Sequence, residues 1–156
     1  MIFVTVGTNY RGFERLIKKI DEIAGKIDEE VVAQIGPINY IPKNMTYFTF
    51  IEDEKKLLEL FKNARIIVSH AGAGTLLTIF KYKKPAVIVP RLKKFNEVID
   101  DHQLELTEFL KKEEKAVIVD DIENLEDALK KAKKISFKKN ITLVPFLKKY
   151  IMDMEK

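Results

Sequence analysis

The chain reads as a doubly wound α/β sandwich, a parallel sheet with helices packed on both faces. Short, almost wholly apolar runs at residues 2–6, 66–68 and 86–89 recur along it, as strands buried on both faces require. Segments with apolar residues at helical spacing lie between them, the alternation that builds a parallel sheet. Polar or glycine-rich residues gather where the strands stop: Gly7-Thr8, Ser69 to Thr75, and Pro90 onward. In open parallel sheets, ligands sit at the carboxyl ends of the strands.

Residues 2–6 form the first expected strand, closed by Gly7-Thr8. Phe13, Leu16, Ile17, Ile20, Ile23 and Ile27 then mark one stripe of an amphipathic helix whose other face is charged. Residues 31–35 are the second strand, stopped by Gly36-Pro37, and residues 46–51 the third. Leu57, Leu58, Leu60 and Phe61 give a short helix before a fourth strand at 65–69. A helix at 76–81 follows, then a fifth strand at 86–89 between Pro85 and Pro90. A helix at 98–110, a sixth strand at 116–119 and a helix through Ile122, Leu125, Leu129 and Ala132 come next. Leu143, Leu147, Tyr150, Ile151 and Met154 define a last amphipathic helix at about 142–154. Residues 1–156 are expected to form one domain.

Composition narrows the functional classes. The net charge of +4 is mild and the charges are interspersed, without the basic stripe of a nucleic-acid binder. The Lys130-Lys131, Lys133-Lys134 and Lys138-Lys139 clusters leave an anionic surface or acidic partner open. There are no cysteines, which removes disulfides and thiolate metal sites. No 18-residue apolar run occurs, so the expectation is a cytoplasmic chain without leader or membrane span.

The organising stretch is Ser69-His-Ala-Gly-Ala-Gly-Thr75, a glycine-rich turn between a strand and a helix. That layout turns free backbone N–H groups and a helix N-terminus toward an anion. Gly72 and Gly74 are expected to supply backbone angles closed to other residues and room for a phosphate. A plain strand-to-helix connection would have the same composition. Gly7-Thr8-Asn9 lacks the third glycine of a dinucleotide fingerprint, and no Gly-Lys-Ser/Thr loop exists. No His/Asp/Glu spacing suits zinc, and Ser69 lacks the preceding glycine of a nucleophile elbow. His70 and His102 are either structural or substrate-facing. In Asp100-Asp101-His102-Gln103-Leu-Glu105, several hydrogen-bonding side chains at a helix start suit a polyhydroxylated ligand. The two aspartates would equally serve as helix caps.

Together these pieces resemble the donor-binding half of family 28 glycosyltransferases, in particular the small catalytic subunits of two-component enzymes. The matching residues are Phe3-Val-Thr-Val-Gly-Thr8, Phe50-Ile51, Ser69 through Thr75, Val89-Pro-Arg91 and Asp100-Asp-His-Gln-Leu-Glu-Leu106. The resemblance implies one half of a two-domain GT-B architecture that binds a UDP-sugar, such as UDP-N-acetylglucosamine or another UDP-hexose. It implies transfer of that sugar to a lipid-linked acceptor, with no metal and no cofactor. By the same resemblance, Gly7 and Thr8 would lie near the diphosphate and the donor–acceptor cleft. Phe50 and Ile51 would face the uracil. His70, Ala71, Gly72, Ala73, Gly74 and Thr75 would cradle the diphosphate, and Gln103, with Glu105 and His102, would hold sugar hydroxyls. Thr78 stands where relatives carry an acid for the ribose hydroxyls, which removes a charged acceptor. No general base is identifiable, so the resemblance implies a membrane-anchored partner subunit that brings the acceptor. The last helix could dock that partner or pack on its own domain. A non-catalytic nucleotide-sugar-binding or regulatory module, and an α/β interaction protein, are the alternatives.

Overall fold

The computed structural model describes residues 1–134 and 143–154, apart from the side chains of His102, Leu143, Val144 and Met154. Lys138-Lys139 and residue 142 lie outside the described residues. The strands are β1 (Ile2–Thr5), β2 (Val31–Gln34), β3 (Thr46–Phe48), β4 (Ile66–Ser69), β5 (Ala86–Ile88) and β6 (Val117–Ile118). The helices are α1 (Glu14–Ala24), α2 (Glu54–Asn63), α3 (Ala73–Lys81), α4 (His102–Lys112), α5 (Leu125–Ala132) and α6 (Leu143–Met154). All five strand pairings are parallel, in the order β3-β2-β1-β4-β5-β6.

Alternation along the strands divides the core into two layers. Ile2 and Val4 of β1, Ile66 and Val68 of β4 and Val87 of β5 face α1 and α5. Phe3, Ile67, Ala86 and Ile88 face the other way, against Phe61, Leu76, Ile79, Leu106, Leu110 and Leu147. A sheet buried on both faces therefore needs unbroken apolar strands, which is what the sequence carries. The outer strands β3 and β6 are three and two residues long, short enough to offer little edge for foreign pairing.

Several boundaries differ from expectation for physical reasons. β3 ends at Phe48 rather than 51, although the Gly36 amide still donates to the Thr49 carbonyl at 3.1 Å. α2 begins earlier, at Glu54, because the Asp53 carboxylate accepts from the Lys55 and Lys56 amides as an N-cap. α3 starts at Ala73, inside the glycine turn and three residues before the predicted 76. α4 starts at His102 rather than 98. There the chain first makes a 3-10 turn at Lys93–Phe95, closed by Asn96 in the left-handed region at φ +56°. Glu97 then accepts the Leu92 amide at 2.9 Å, which folds the segment back instead of into a helix.

Candidate functional site

β2 lies on one side of β1 and β4 on the other. This reversal of strand order opens a crevice outside the carboxyl ends of β1 and β4. The cleft there has a volume of about 230 Å³ and is lined by Asn9, Tyr10 and Arg11, Ala71–Ala73, Val98–Asp100, Gln103 and Tyr150. Its walls are the β1–α1 loop, the start of α3 and the β5–α4 loop, the three strand ends singled out in the sequence.

His70 precedes the lining residues Ala71–Ala73 and is not itself part of the lining. The residue is 8% exposed, and its imidazole lies against both Gly7 and Gly72. A Cβ on Gly72 would stand 2.2 Å from Nε2, and one on Gly7 would stand 2.7 Å from Cε1. Gly7 also needs its freedom of backbone, at φ +69°, and its carbonyl is held by the Gln34 side-chain amide at 3.2 Å. Gly72 corrects the sequence expectation. With φ −87° it takes a conformation open to any residue, and glycine is required there for space. Gly74 sits within α3 and an added Cβ would meet nothing within 4 Å. Its contribution is open room at the helix start.

The tautomer of His70 follows from its neighbours. Ser69 Oγ donates to the Thr5 carbonyl at 2.9 Å and lies 3.3 Å from His70 Nδ1. With its proton used, the hydroxyl accepts from Nδ1–H. This employs Ser69 structurally and leaves the bare Nε2 beside Gly72. Burial, assisted by the positive charge of Arg91 and opposed by the Thr5 carbonyl, pushes the imidazole down to about 4. His70 is therefore neutral at physiological pH.

No side chain caps α3, and its first turn holds no acid. The N–H groups there face the open cleft with the positive end of the helix dipole. Thr78, one turn in, donates its hydroxyl to the Gly74 carbonyl at 3.3 Å. Gln103 Oε1 accepts the Arg91 amide at 3.3 Å, which ties this cleft residue to the end of β5. Asp101 stands at the start of α4 but does not cap it. Its carboxylate accepts from the Lys93 amide at 3.1 Å, bracing the β5–α4 loop.

The structure thus brings Gly7, His70, Ala71, Gly72, Ala73 and Gln103 together. Gly74 and Thr75 follow on the first turn of α3, with Thr8 and Glu105 exposed nearby in sequence. Phe50, 45% exposed, and Ile51 lie past the end of β3, outside the cleft lining. The side chain of His102 lies outside the described residues. α6 packs on its own domain: Phe146 stacks on Phe109 with centroids 3.7 Å apart, Leu147 is fully buried, and Tyr150 reaches the cleft.

Two residues went unassigned in the sequence. Arg91 is completely buried, and Glu97 nearly so. The Glu97 carboxylate takes both Arg15 Nε and Nη2 at 2.9 Å, while Arg91 donates only to carbonyls. Among Arg-Leu-Lys-Lys and Asn-Glu-Val, each looks like another solvated charge. Only the pairing of β1, β4 and β5 shows where they go.

Comparison with known proteins places this geometry. Residues 1–143 match the model of the glycosyltransferase family 28 C-terminal domain. The chain is 34% identical over 122 residues to the human UDP-N-acetylglucosamine transferase subunit ALG13, covering 72% of this chain and 10% of that protein. It is 29% identical over 84 residues to a Prochlorococcus marinus UDP-N-acetylglucosamine–N-acetylmuramyl-(pentapeptide) pyrophosphoryl-undecaprenol N-acetylglucosamine transferase, covering 52% of this chain and 21% of that enzyme. The chain therefore spans only a minor part of these relatives. Among solved structures, the kitacinnamycin glycosyltransferase superposes with a TM-score of 0.65 at 17% identity, over 86% of this chain and 35% of the other. Acinetobacter baumannii MurG gives 0.59 at 23% identity, over 83% and 40%. These likenesses show the fold, which recurs over 35% and 40% of those two chains.

Proposed function

We propose that this chain, which belongs to the glycosyltransferase family 28 C-terminal domain family, is the donor-binding unit of a UDP-sugar hexosyltransferase. The observation that carries the reading is the uncapped start of α3, opening on a cleft at the switch point of the sheet, whose lining residue Gly72 packs against His70. Backbone N–H groups at a helix start suit a diphosphate both as it binds and as it departs with growing charge. In this reading His70 through Thr75 receive the diphosphate, Gly7 and Thr8 border the donor–acceptor cleft, and Gln103 and Glu105 meet the sugar. Phe50 and Ile51 take the uracil, and Thr78 the ribose in place of an acid.

Residues 1–156 act as one donor half, and the general base comes from elsewhere. The relatives' names support UDP-N-acetylglucosamine as the donor and a lipid-linked sugar as the acceptor. A membrane-anchored partner subunit would supply the acceptor side. Among the described residues no helix is long and apolar enough to cross a membrane, so recruitment to the bilayer would run through that partner. Because Phe146, Leu147 and Tyr150 are spent on intramolecular packing, the partner meets the cleft rim or the outer face of α6.

The test is calorimetric titration of the purified chain with UDP, with ADP and GDP as controls. Selective UDP binding that is lost in His70→Ala is the expected result. Equal binding of all three nucleotides, or none by a folded chain, contradicts the reading. Binding that survives chelation of divalent ions is also expected.

A further inference from the structure

Arg91 is a buried cation without a carboxylate of its own. Nη2 donates to the Val6 carbonyl at 2.9 Å, and Nη1 to the carbonyls of Arg11 at 2.8 Å and Gly12 at 3.1 Å. A longer bond, 3.4 Å, reaches the Glu97 carbonyl. The guanidinium carbon sits 4.8 Å from the centre of the Phe13 ring. Among buried side-chain polar atoms of the described residues, Arg91 Nε is alone in having no partner. Taking a guanidinium out of water costs several kcal/mol unless charge and hydrogen bonds compensate. Here the carbonyl oxygens compensate in part, and the nearest acid, Glu97, spends its carboxylate on Arg15 and the Leu92 amide.

The positions of those carbonyls give the arrangement its meaning. Val6 and Gly12 are the two ends of the β1–α1 loop, and Arg91 closes its neck. Asn9, Tyr10 and Arg11, on that loop, form one wall of the cleft. Arg91 itself opens the β5–α4 loop, whose Val98, Ile99 and Asp100 form the opposite wall. Its own amide holds Gln103. A single planar fork thus ties the β1–α1 loop to the loop that Arg91 itself opens, with a fixed, spread set of donors that the compact ammonium of a lysine does not reproduce.

We propose that Arg91 is the positioning residue of the phosphate end of the donor site, clamping the residue 6–12 loop to the β5–α4 loop around the diphosphate. The inference rests on the donor-site reading above. It separates the two ends of the ligand: the uridine end, toward Phe50 and Ile51, does not depend on the clamp. Arg91 touches no substrate in this account and acts through the loops it joins.

The test compares UDP with uridine in calorimetric titrations of the whole chain and of Arg91→Met. The expected result is UDP affinity weakened at least tenfold while uridine affinity changes less than twofold. Arg91→Lys, which keeps the charge and loses the fork, should show most of the same selective loss. If Arg91→Met fails to fold, Arg91→Lys carries the comparison. Unchanged UDP affinity in a folded variant overturns the proposal, as does an equal loss for both ligands. A wild-type chain that ignores UDP removes the donor-site reading itself, and the proposal with it.

Discussion

Two charged clusters occupy opposite edges of the same sheet, and they are built on opposite rules. At the amino edge, Glu29 precedes β2 and Arg65 precedes β4. Arg65 Nε donates to Glu29 Oε1 at 2.7 Å and Nη2 bonds the other carboxylate oxygen, a two-pronged pair of opposite charges. Nearby, the buried Asp21 carboxylate accepts from the Tyr40 hydroxyl and from the Lys43 and Asn44 amides. The carboxyl edge holds a comparable pair in Arg15 and Glu97, but beside it Arg91 meets only carbonyls, His70 is buried uncharged, and the α3 N–H groups have no cap. The amino edge satisfies its charges internally and so stabilises the fold. The carboxyl edge leaves the uncapped start of α3 beside a cleft, and its open N–H donors favour an anion arriving from outside.

Acid should separate the two edges, and here the largest effect is expected. His70 is lowered to about 4 in the folded chain from an ordinary 6.5. Between these values the unfolded chain binds the extra proton, so stability is complete above pH 6.5 and falls toward pH 4, by about 3 kcal/mol. Urea melts across that window measure it, and His70→Ala, though less stable at pH 7, should lack this slope.

Gly72→Ala comes next. The new methyl group occupies the space of His70 Nε2 without straining the backbone, so the imidazole must leave its seat. UDP affinity should fall roughly 100-fold, about 2.7 kcal/mol, by titration, with circular dichroism unchanged. Retained affinity would mean that the His70 wedge does not shape the cleft.

Asp21→Asn tests the other edge. Burial pushes this carboxyl up, but the Tyr40, Asn44 and Lys43 hydrogen bonds prevail and hold it below its ordinary value. The amide cannot accept from all three donors, so thermal melts should show a loss of about 2 kcal/mol with UDP affinity intact.

The smallest effect belongs to Glu29. Arg65 holds it at about 2, below the ordinary 4.5. Its stabilisation is present above pH 4.5 and is lost as pH falls through 2, a lower window than that of His70. Because Arg65 is more than a third exposed, solvent screening leaves about 1 kcal/mol. Glu29→Gln should remove that step alone.

How far the sequence is legible differs between the same two edges. The strands are legible because burial on both faces forces unbroken apolar runs such as Ile66-Ile67-Val68. The glycine-rich turn at 69–75 is legible as a strand-to-helix connection, but α3 starts inside it at Ala73, and Gly72 takes an ordinary backbone conformation. The site is illegible where distant segments meet. The reason for Gly72 is the His70 ring, and the role of Arg91 depends on carbonyls some 80 residues earlier. Helix α4 is misplaced for a related reason, since Glu97 is held by Arg15 from α1.

The most direct test of the division between edges is amide chemical-shift mapping of the labelled chain during titration with UDP. The largest shifts should fall at residues 7–12, 70–75 and 91–103, with Asp21, Glu29, Arg65 and their neighbours unmoved. Shifts gathered at the amino edge, or on the far side near Asp120 and Lys131, would contradict the assignment of the cleft.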